Sequence, residues 1–286
     1  MKNQDIQVSV CIVTYNQEKY IAECLDSLVN QKTNFNFEII VGEDCSTDGT
    51  RAIVQKYVDQ YPELIVPLFH EKNVGPVENL KQVYLKANGK YIAHMDGDDL
   101  ALPNKLQKQF DVLEENLDCN ICSHDVIRVS NLSINQNRDW TYSGGVYDLL
   151  DLYKKLPFFA HSSKMFRNKY EVSFWNDLLI NNEILDIDIH VANALDGNIF
   201  HIDQLLGGYR INTGVSFEAK VNPALPRGVK RIYDNALIIF KDDPEKLLII
   251  NKRYAYVLLQ YAYNYAVFDQ DPELFKEYVN LSLNKK

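Results

Sequence analysis

The sequence predicts an α/β fold, namely a doubly wound, mostly parallel sheet flanked by helices and followed by a C-terminal helical appendage. Over the first hundred residues, nearly continuous apolar runs alternate with segments of helical periodicity. Apolar runs of this kind are expected of strands covered on both faces. Their alternation with helices is typical of right-handed β-α-β crossovers in a parallel sheet. After about residue 226 the pattern becomes wholly helical.

The elements follow in chain order. The strands predicted in the first part of the chain are 8–13, 37–41, 64–69 and 91–95. The helices predicted beside them are 20–30, a helix ending near residue 60, 76–86 and 103–115. Ser46, Thr47 and Asp48 are expected to supply the caps of the helix that ends near residue 60. Later elements are strands at 120–129, around 162–166 and at 199–205, and a helix at 186–194.

Two Asp-Pro-Glu triplets indicate helix starts in the predicted C-terminal appendage. Asp243 and Asp271 each precede a proline at the first position of a predicted helix. An aspartate in that place caps the free backbone N–H groups, and proline suits the first helical position because it has no N–H to leave unpaired.

The composition limits the class of protein. The chain has 286 residues, and its 30 Lys+Arg against 39 Asp+Glu leave a formal charge of −9. That balance argues against nucleic-acid binding, which needs a basic face. No stretch approaches the roughly 18 apolar residues of a transmembrane helix, so we expect a soluble, cytoplasmic protein. The five cysteines are expected to be reduced, and Cys119 and Cys122 lack the further ligands of a zinc site.

Polar clusters follow three predicted strands where each strand ends. These clusters are Thr14, Tyr15 and Asn16, then Glu43 and Asp44, then Asp96, Gly97, Asp98 and Asp99. In an open parallel sheet, ligands bind beyond the carboxyl ends of the strands. The sequence therefore predicts one binding site to which all three clusters contribute.

The run from Asp96 to Asp99 indicates the chemistry of that site. Three carboxylates in four residues repel one another unless a cation or strong hydrogen-bond donors offset their charge. Such ligands suit Mg²⁺ or Mn²⁺, which usually also bind substrate phosphates. A calcium EF-hand is excluded because Ala101 and Gln107 stand where glycine and glutamate are required. A solvated turn remains the alternative. Glycine-rich dinucleotide and Walker motifs are absent from the sequence.

Four segments of the sequence resemble the family 2 glycosyltransferases of GT-A fold. They are VSVCIVTYNQEKYI, EIIVGEDCSTDGT, NVGPVEN and GKYIAHMDGDDLALPNKL, and the resemblance is strong over about 6–110 and weaker to about 216. It implies transfer of a sugar from a nucleotide diphosphate donor to an acceptor hydroxyl, with inversion. By position, Tyr15 and Asp44 resemble the nucleobase contacts, Asp96 the ribose and donor contact, and Asp98 the metal-binding member of the DxD motif. The remaining residues of the expected nucleotide-sugar site are Thr14, Asn16, Asn79, Gly97 and Arg210.

The resemblance also implies a general base, an aspartate that precedes a glycine and then a Tyr-Arg pair. Asp186 lies 11 residues before Gly197 and 23 before Tyr209, which matches that spacing. Asp186 is therefore the expected base and Asp188 the second candidate, unless both merely solvate a helix start.

The sequence departs from the family pattern in the third motif. Glu78 stands where many members carry an arginine, so greater dependence on the metal is expected. For Arg210, a contact to the donor diphosphate and a structural salt bridge both remain open.

These expectations define the domains and partners. Residues 1–225 are predicted to form the GT-A domain, with a nucleotide-binding half of about 1–115 and an acceptor half of about 116–225. Residues 226–286 form the extension, whose tyrosines and leucines are expected to pack on the catalytic domain or in a homodimer. Peripheral membrane contact is less favoured because few basic residues accompany them.

The predicted function is metal-assisted transfer, with Mn²⁺ or Mg²⁺, from a nucleotide-sugar donor. The donor is expected to be a UDP-sugar, and the acceptor a glycan-type hydroxyl of a polysaccharide, glycolipid or glycoprotein. One alternative is a catalytically silent nucleotide-sugar-binding or scaffold protein. A nucleotidyltransferase is less favoured because it typically needs a basic glycine-rich loop, which is absent here.

Overall fold

The computed structural model describes residues 5–130, the backbone of 133–139, and residues 142–180, 184–211 and 221–285. Internal contacts group the chain into two compact units. The first comprises 1–148, 159–182 and 192–211, and the second comprises 149–158, 183–191 and 212–286. The predicted boundary between residues 225 and 226 stays a prediction.

The first unit is built on a mixed, mostly parallel sheet, which confirms the predicted fold class. The strands of the described residues are β1 (Ile6–Thr14), β2 (Asn36–Glu43), β3 (Ile65–Phe69), β4 (Tyr91–Asp96), β5 (Leu100–Ala101), β6 (Cys119–Ser130), β7 (Ser133–Asp139), β8 (Gly145–Tyr147), β9 (Met165–Arg167) and β10 (Asn198–Arg210). Their order is β3-β2-β1-β4-β9-β6-β10-β5, with β7 beside β6 and β8 beside β10. The strands β1 to β4 pair in parallel, as do β6 and β10. Only β9 runs antiparallel between these two groups.

The helices of the described residues lie between and after these strands. They are α1 (Ile21–Val29), α2 (Thr50–Gln60), α3 (Pro76–Lys86), α4 (Lys105–Glu115), α5 (Leu149–Lys154), α6 (Val172–Leu178), α7 (Asp186–Leu195), α8 (Ala224–Ile239), α9 (Pro244–Asn264) and α10 (Pro272–Leu283). Of the described helices, none is long and apolar enough to cross a membrane.

The core of the first unit explains the continuous apolar strands. Val10 and Ile12 of β1 lie in a buried cluster with Leu25 of α1. Cys11, which points the other way, reaches the carbonyl of Val83 on α3. Because helices cover both faces of β1, every side chain in its middle is buried, and alternation with polar residues is lost.

Of the predicted caps of α2, Asp48 bonds to the helix and Ser46 does not. The helix begins at Thr50 with Gly49 at its N-cap, and Oδ1 of Asp48 accepts the backbone N–H of Thr50 at 3.0 Å. Ser46 instead accepts a hydrogen bond from the backbone of Asn16, and Oδ2 of Asp48 accepts one from the backbone of Glu18. Both side chains therefore also join the loop after β1 to the loop before α2. The two-residue strand β5 and the short β8 were not predicted, because so few residues carry no periodic signal.

The second unit has its own core of aromatic and aliphatic side chains. Tyr153, Ile187, Ile232, Tyr233 and Tyr254 are buried together there.

Both predicted Asp-Pro helix starts of this unit are confirmed. Asp243 accepts a hydrogen bond from the backbone of Lys246, and Asp271 accepts from Glu273 and Leu274.

Candidate functional site

The three predicted polar clusters meet at the carboxyl end of β1. The backbone N–H of Asp44 donates to the carbonyl of Thr14 at 3.1 Å, and that of Gly97 donates to Val13 at 3.0 Å. A Cβ on Gly97 would lie 2.8 Å from that of Thr14 and 2.4 Å from Oε1 of Gln17. Glycine is therefore required where the third cluster approaches the first, and the sheet edge brings the clusters together as predicted.

Asn16 fastens the first loop to the second. Its backbone N–H donates to Oγ of Ser46 at 3.0 Å, and its Oδ1 accepts from the backbone of Thr47 at 2.8 Å. Its φ of 53° lies in the left-handed region, which asparagine tolerates better than most residues. Beside it the ring of Tyr15 is 45% exposed. A half-exposed aromatic surface thus stands on a loop held by hydrogen bonds.

Asp44 is buried at the end of β2, and its carboxylate organises the loop after β3. Its two oxygens accept the backbone N–H groups of Val74 at 2.7 Å and Gly75 at 2.9 Å. Gly75 has a φ of 87°, which favours glycine. Each carboxylate oxygen can accept a further hydrogen bond, so this geometry leaves Asp44 able to receive an N–H from a ligand.

Asn79 lies within an internal network beneath this loop. Its amide nitrogen donates to the carbonyl of Gly42 at 2.9 Å, and its oxygen lies 3.0 Å from Nε2 of His70. The carbonyl of His70 accepts from Arg51, which also forms an ion pair with the buried carboxylate of Glu43. Both ends of the Asn79 amide are therefore bonded inside the protein, and its predicted contact with a donor stays a prediction.

Asp96 is held as a carboxylate at the end of β4. His94 Nε2 lies 3.2 Å from its Oδ1, and Ser162 Oγ donates to its Oδ2 at 3.2 Å. Burial raises the pKa of Asp96, but the hydrogen bonds from His94 and Ser162 outweigh it, and the net pKa lies below the ordinary value. Burial lowers the pKa of His94 despite the opposing charge of Asp96. A neutral His94 can therefore donate from Nε2 and accept at Nδ1 from Tyr84, whose hydroxyl lies 3.0 Å away.

Arg210, at the end of β10, holds the turn that carries Asp98 and Asp99. Its Nε donates to the carbonyl of Asp98 at 2.8 Å, and its backbone N–H donates to Oδ1 of Asp99 at 2.7 Å. Its Nη2 pairs with Glu23 at 2.6 Å, and the guanidinium lies 4.5 Å from the ring centroid of Tyr20. The salt bridge that the sequence left open is therefore present, whereas a contact to a diphosphate stays a prediction.

Lys105, a buried lysine that no sequence pattern singles out, lies near this turn. Nζ of Lys105 donates to the carbonyl of Ser162 at 2.5 Å and lies 3.2 Å from Nε2 of His124. Burial lowers the pKa of Lys105 to about 7, against the charge of Asp99. Burial, with the charges of Asp96 and Asp98, raises the pKa of Asp99 well above its ordinary value. Burial and the neighbouring carboxylates together favour the protonated form of Asp99.

Neither Lys105 nor Ser162 could have been chosen from the sequence. A lysine at the first turn of an amphipathic helix is normally solvated. Ser162 lies 66 residues from Asp96, and no local pattern connects the two positions.

Asp186 and Asp188 belong to the second unit, at the first turn of α7. Asp186 is exposed, and its Oδ1 accepts the backbone N–H of Ile187 at 2.9 Å. Asp188 is largely buried, and its Oδ2 accepts from the backbone of Leu185 at 2.8 Å and from Nη2 of Arg231 at 2.6 Å. The two candidate bases therefore have different surroundings.

Comparison with known proteins gives concordant matches. A sequence model described as "Glycosyl transferase family 2" matches residues 9–173. An uncharacterized protein of Mycobacterium tuberculosis is 32% identical over 205 residues, which is 71% of this chain and 58% of that protein. The chain thus spans somewhat over half the length of such relatives. A second relative is TuaG of Bacillus subtilis, which is named as a teichuronic acid biosynthesis glycosyltransferase. It is 36% identical over 115 residues, which is 40% of this chain and 45% of TuaG.

A solved structure confirms the fold. Residues 1–349 of TarS from S. aureus, crystallised in complex with UDP-GlcNAc, superpose with a TM-score of 0.70 at 22% identity. The match covers 98% of this chain and 81% of that one. At such low identity the likeness concerns the fold, and it supports the predicted GT-A type.

Proposed function

Because the chain belongs to glycosyl transferase family 2, we propose that it is an inverting glycosyltransferase acting on a nucleotide-sugar donor. The observation that carries this proposal is the junction at the end of β1, where the Asp96–Asp99 turn packs on Val13 and Thr14, and Asp44 bonds to Thr14. UDP-sugars are the proposed donors, since TarS was crystallised with UDP-GlcNAc. The name of TuaG supports a polysaccharide-type acceptor.

The donor would be held by the first unit through three kinds of contact. The exposed ring of Tyr15 offers a stacking surface to the nucleobase. Asp44, oriented by two backbone N–H groups, accepts an N–H from the base edge. Asp96, which stays ionised at neutral pH, accepts hydrogen bonds from the ribose hydroxyls.

A divalent cation fits the chemistry of the same turn. The carboxylate of Asp98, beside Asp96, supplies the hard oxygen ligands that Mn²⁺ and Mg²⁺ prefer. Burial, together with the charges of Asp96 and Asp98, raises the pKa of Asp99, and a cation would offset the part that comes from the neighbouring carboxylates. When bound, the ion neutralises the diphosphate and stabilises it as a leaving group. Arg210 keeps the backbone of Asp98 in place for this role.

Inversion requires a single displacement, so the acceptor hydroxyl must lose its proton to a base as it attacks. Asp186 is the proposed base because its carboxylate is exposed at the start of α7. Asp188 is less suited, because Arg231 and the backbone of Leu185 already engage it.

The first test measures donor binding and turnover together. UDP-GlcNAc, UDP-glucose and GDP-mannose are each added with Mn²⁺, and the melting temperature and donor hydrolysis are recorded. A donor at 100 times its Kd should stabilise the protein by about 2.7 kcal/mol. Asp98→Ala should lose both effects, whereas Asp111→Ala, which removes an exposed carboxylate on α4, should keep them. Stabilisation without turnover would indicate a silent binding protein, and release of pyrophosphate a nucleotidyltransferase.

The second test concerns the base. Asp186→Asn should slow hydrolysis of UDP-GlcNAc by about 10² to 10⁴-fold with donor affinity unchanged. Asp242→Asn, at another exposed position of the second unit, is the matched control. A normal rate for Asp186→Asn would show that the base lies elsewhere.

A further inference from the structure

Helix α8 packs against the residues on both sides of Asp186. Gly228 of α8 packs so closely on Leu185 that a Cβ there would lie 2.6 Å from its Cδ1. Ile187 is buried in the same cluster as Ile232, one turn further along α8. The neighbours of Asp186 are thus held by a helix that lies more than thirty residues later in the sequence.

An ion pair between Asp188 and Arg231 adds to these contacts. Oδ2 of Asp188 accepts from Nη2 of Arg231 at 2.6 Å and from the backbone N–H of Leu185 at 2.8 Å. The second bond closes the first turn of α7 around Asp186. The Asp188 side chain is 10% exposed and that of Arg231 is 31% exposed, so water screens the pair only partly. Without the guanidinium, the largely buried carboxylate of Asp188 would be unpaired, and solvation would favour its turning toward water.

We propose that Arg231 is a positioning residue for the general base. By holding Asp188 it fixes the turn of backbone on which Asp186 stands. This inference rests on the proposed role of Asp186 as base. A displacement of about 1 Å in a reacting group can cost about 10²-fold in rate. Arg231 of α8 would then support catalysis through its contact with Asp188.

The test separates turnover from donor binding. Arg231→Met should lower kcat for UDP-GlcNAc hydrolysis by about 10 to 100-fold, while the Kd of UDP with Mn²⁺, measured by calorimetry, stays at the wild-type value. Arg231→Lys should recover much of kcat because lysine can still pair with Asp188. Arg227→Met removes an exposed arginine one turn earlier on the same helix and should leave kcat unchanged.

Asp188→Asn examines the same contact from its other side, and it serves if Arg231→Met does not fold. The amide oxygen can still accept from Leu185 and from Arg231, but the charge attraction is lost, so kcat should fall by less than in Arg231→Met. The double variant should then be no slower than the slower single variant. Additive losses, or a wild-type kcat in Arg231→Met, would overturn the proposal. The proposal would also be overturned if Arg231→Met lost UDP affinity to the same extent as kcat and Arg231→Lys did not recover kcat.

Asp186→Asn distinguishes failure of this inference from failure of the proposed base. If Asp186→Asn is slow and Arg231→Met is normal, only the positioning role is wrong. If Asp186→Asn turns over normally, the base assignment fails, and the positioning role fails with it.

Discussion

Replacing Arg210 with Met should destabilise the first unit and loosen the turn that carries Asp98. The Arg210 side chain is 4% exposed and its Nε donates to the carbonyl of Asp98, a charged hydrogen bond worth about 1.5–3 kcal/mol. Its position over Tyr20 adds about 0.5–1 kcal/mol. Its partner Glu23 is 60% exposed, so that ion pair adds less than about 1 kcal/mol. Because methionine keeps much of the packing, the expected loss is about 2–4 kcal/mol.

Urea denaturation measures this loss, with an unchanged m-value as the sign that only stability has changed. Glu23→Gln is the control and should lose less than about 1 kcal/mol. Calorimetry with UDP and Mn²⁺ should show about tenfold weaker binding for Arg210→Met, equivalent to about 1.4 kcal/mol. A loss below about 1 kcal/mol together with wild-type UDP affinity would refute the claim that Arg210 holds this turn.

Four further changes have definite expected outcomes. Tyr15→Ala should weaken UDP binding by about 1–3 kcal/mol in calorimetry, and unchanged affinity would exclude stacking on this ring. Gly42→Ala should lower the free energy of unfolding in urea by about 1–3 kcal/mol, because its Cβ would lie 2.2 Å from Oδ1 of Asn79; an unchanged free energy would contradict that packing. Lys105→Met should flatten the pH dependence of stability. The pKa of Lys105 is about 7 when folded and about 10.4 when unfolded, so the unfolded chain binds more protons between these values. The free energy of unfolding of the wild type should therefore rise with pH relative to that of the variant, by up to about 1.4 kcal/mol per pH unit. An equal difference between the two proteins at pH 7 and pH 9 would contradict this. Asp271→Ala should cost about 1 kcal/mol in urea through loss of a helix cap, and no loss would mean that the cap is not needed.

The parallel sheet could be predicted because its signals are local. The buried run of β1 needs only to be covered on both faces, whatever helices cover it. Asp243 caps α9 through a backbone N–H three residues away, so a triplet suffices to locate the helix start. By contrast, Ser46 has the composition of a cap but bonds to the loop after β1, and Asp48 bonds both to that loop and to the first residue of α2. These bonds depend on a loop some thirty residues away, so helix propensity alone does not predict them.

The sequence by itself determined which strands end in polar clusters, and hence which residues gather at one edge of the sheet. That much follows from the period of the apolar residues and from the rule that parallel strands end together. The tertiary structure decided which side chains support that edge. Ser162 holds Asp96 across 66 residues, Arg210 holds Asp98 across 112, and Arg231 holds Asp188 across 43. Such partners are brought together only by packing, because a hydrogen bond between side chains far apart in the chain has no period and no spacing in the sequence.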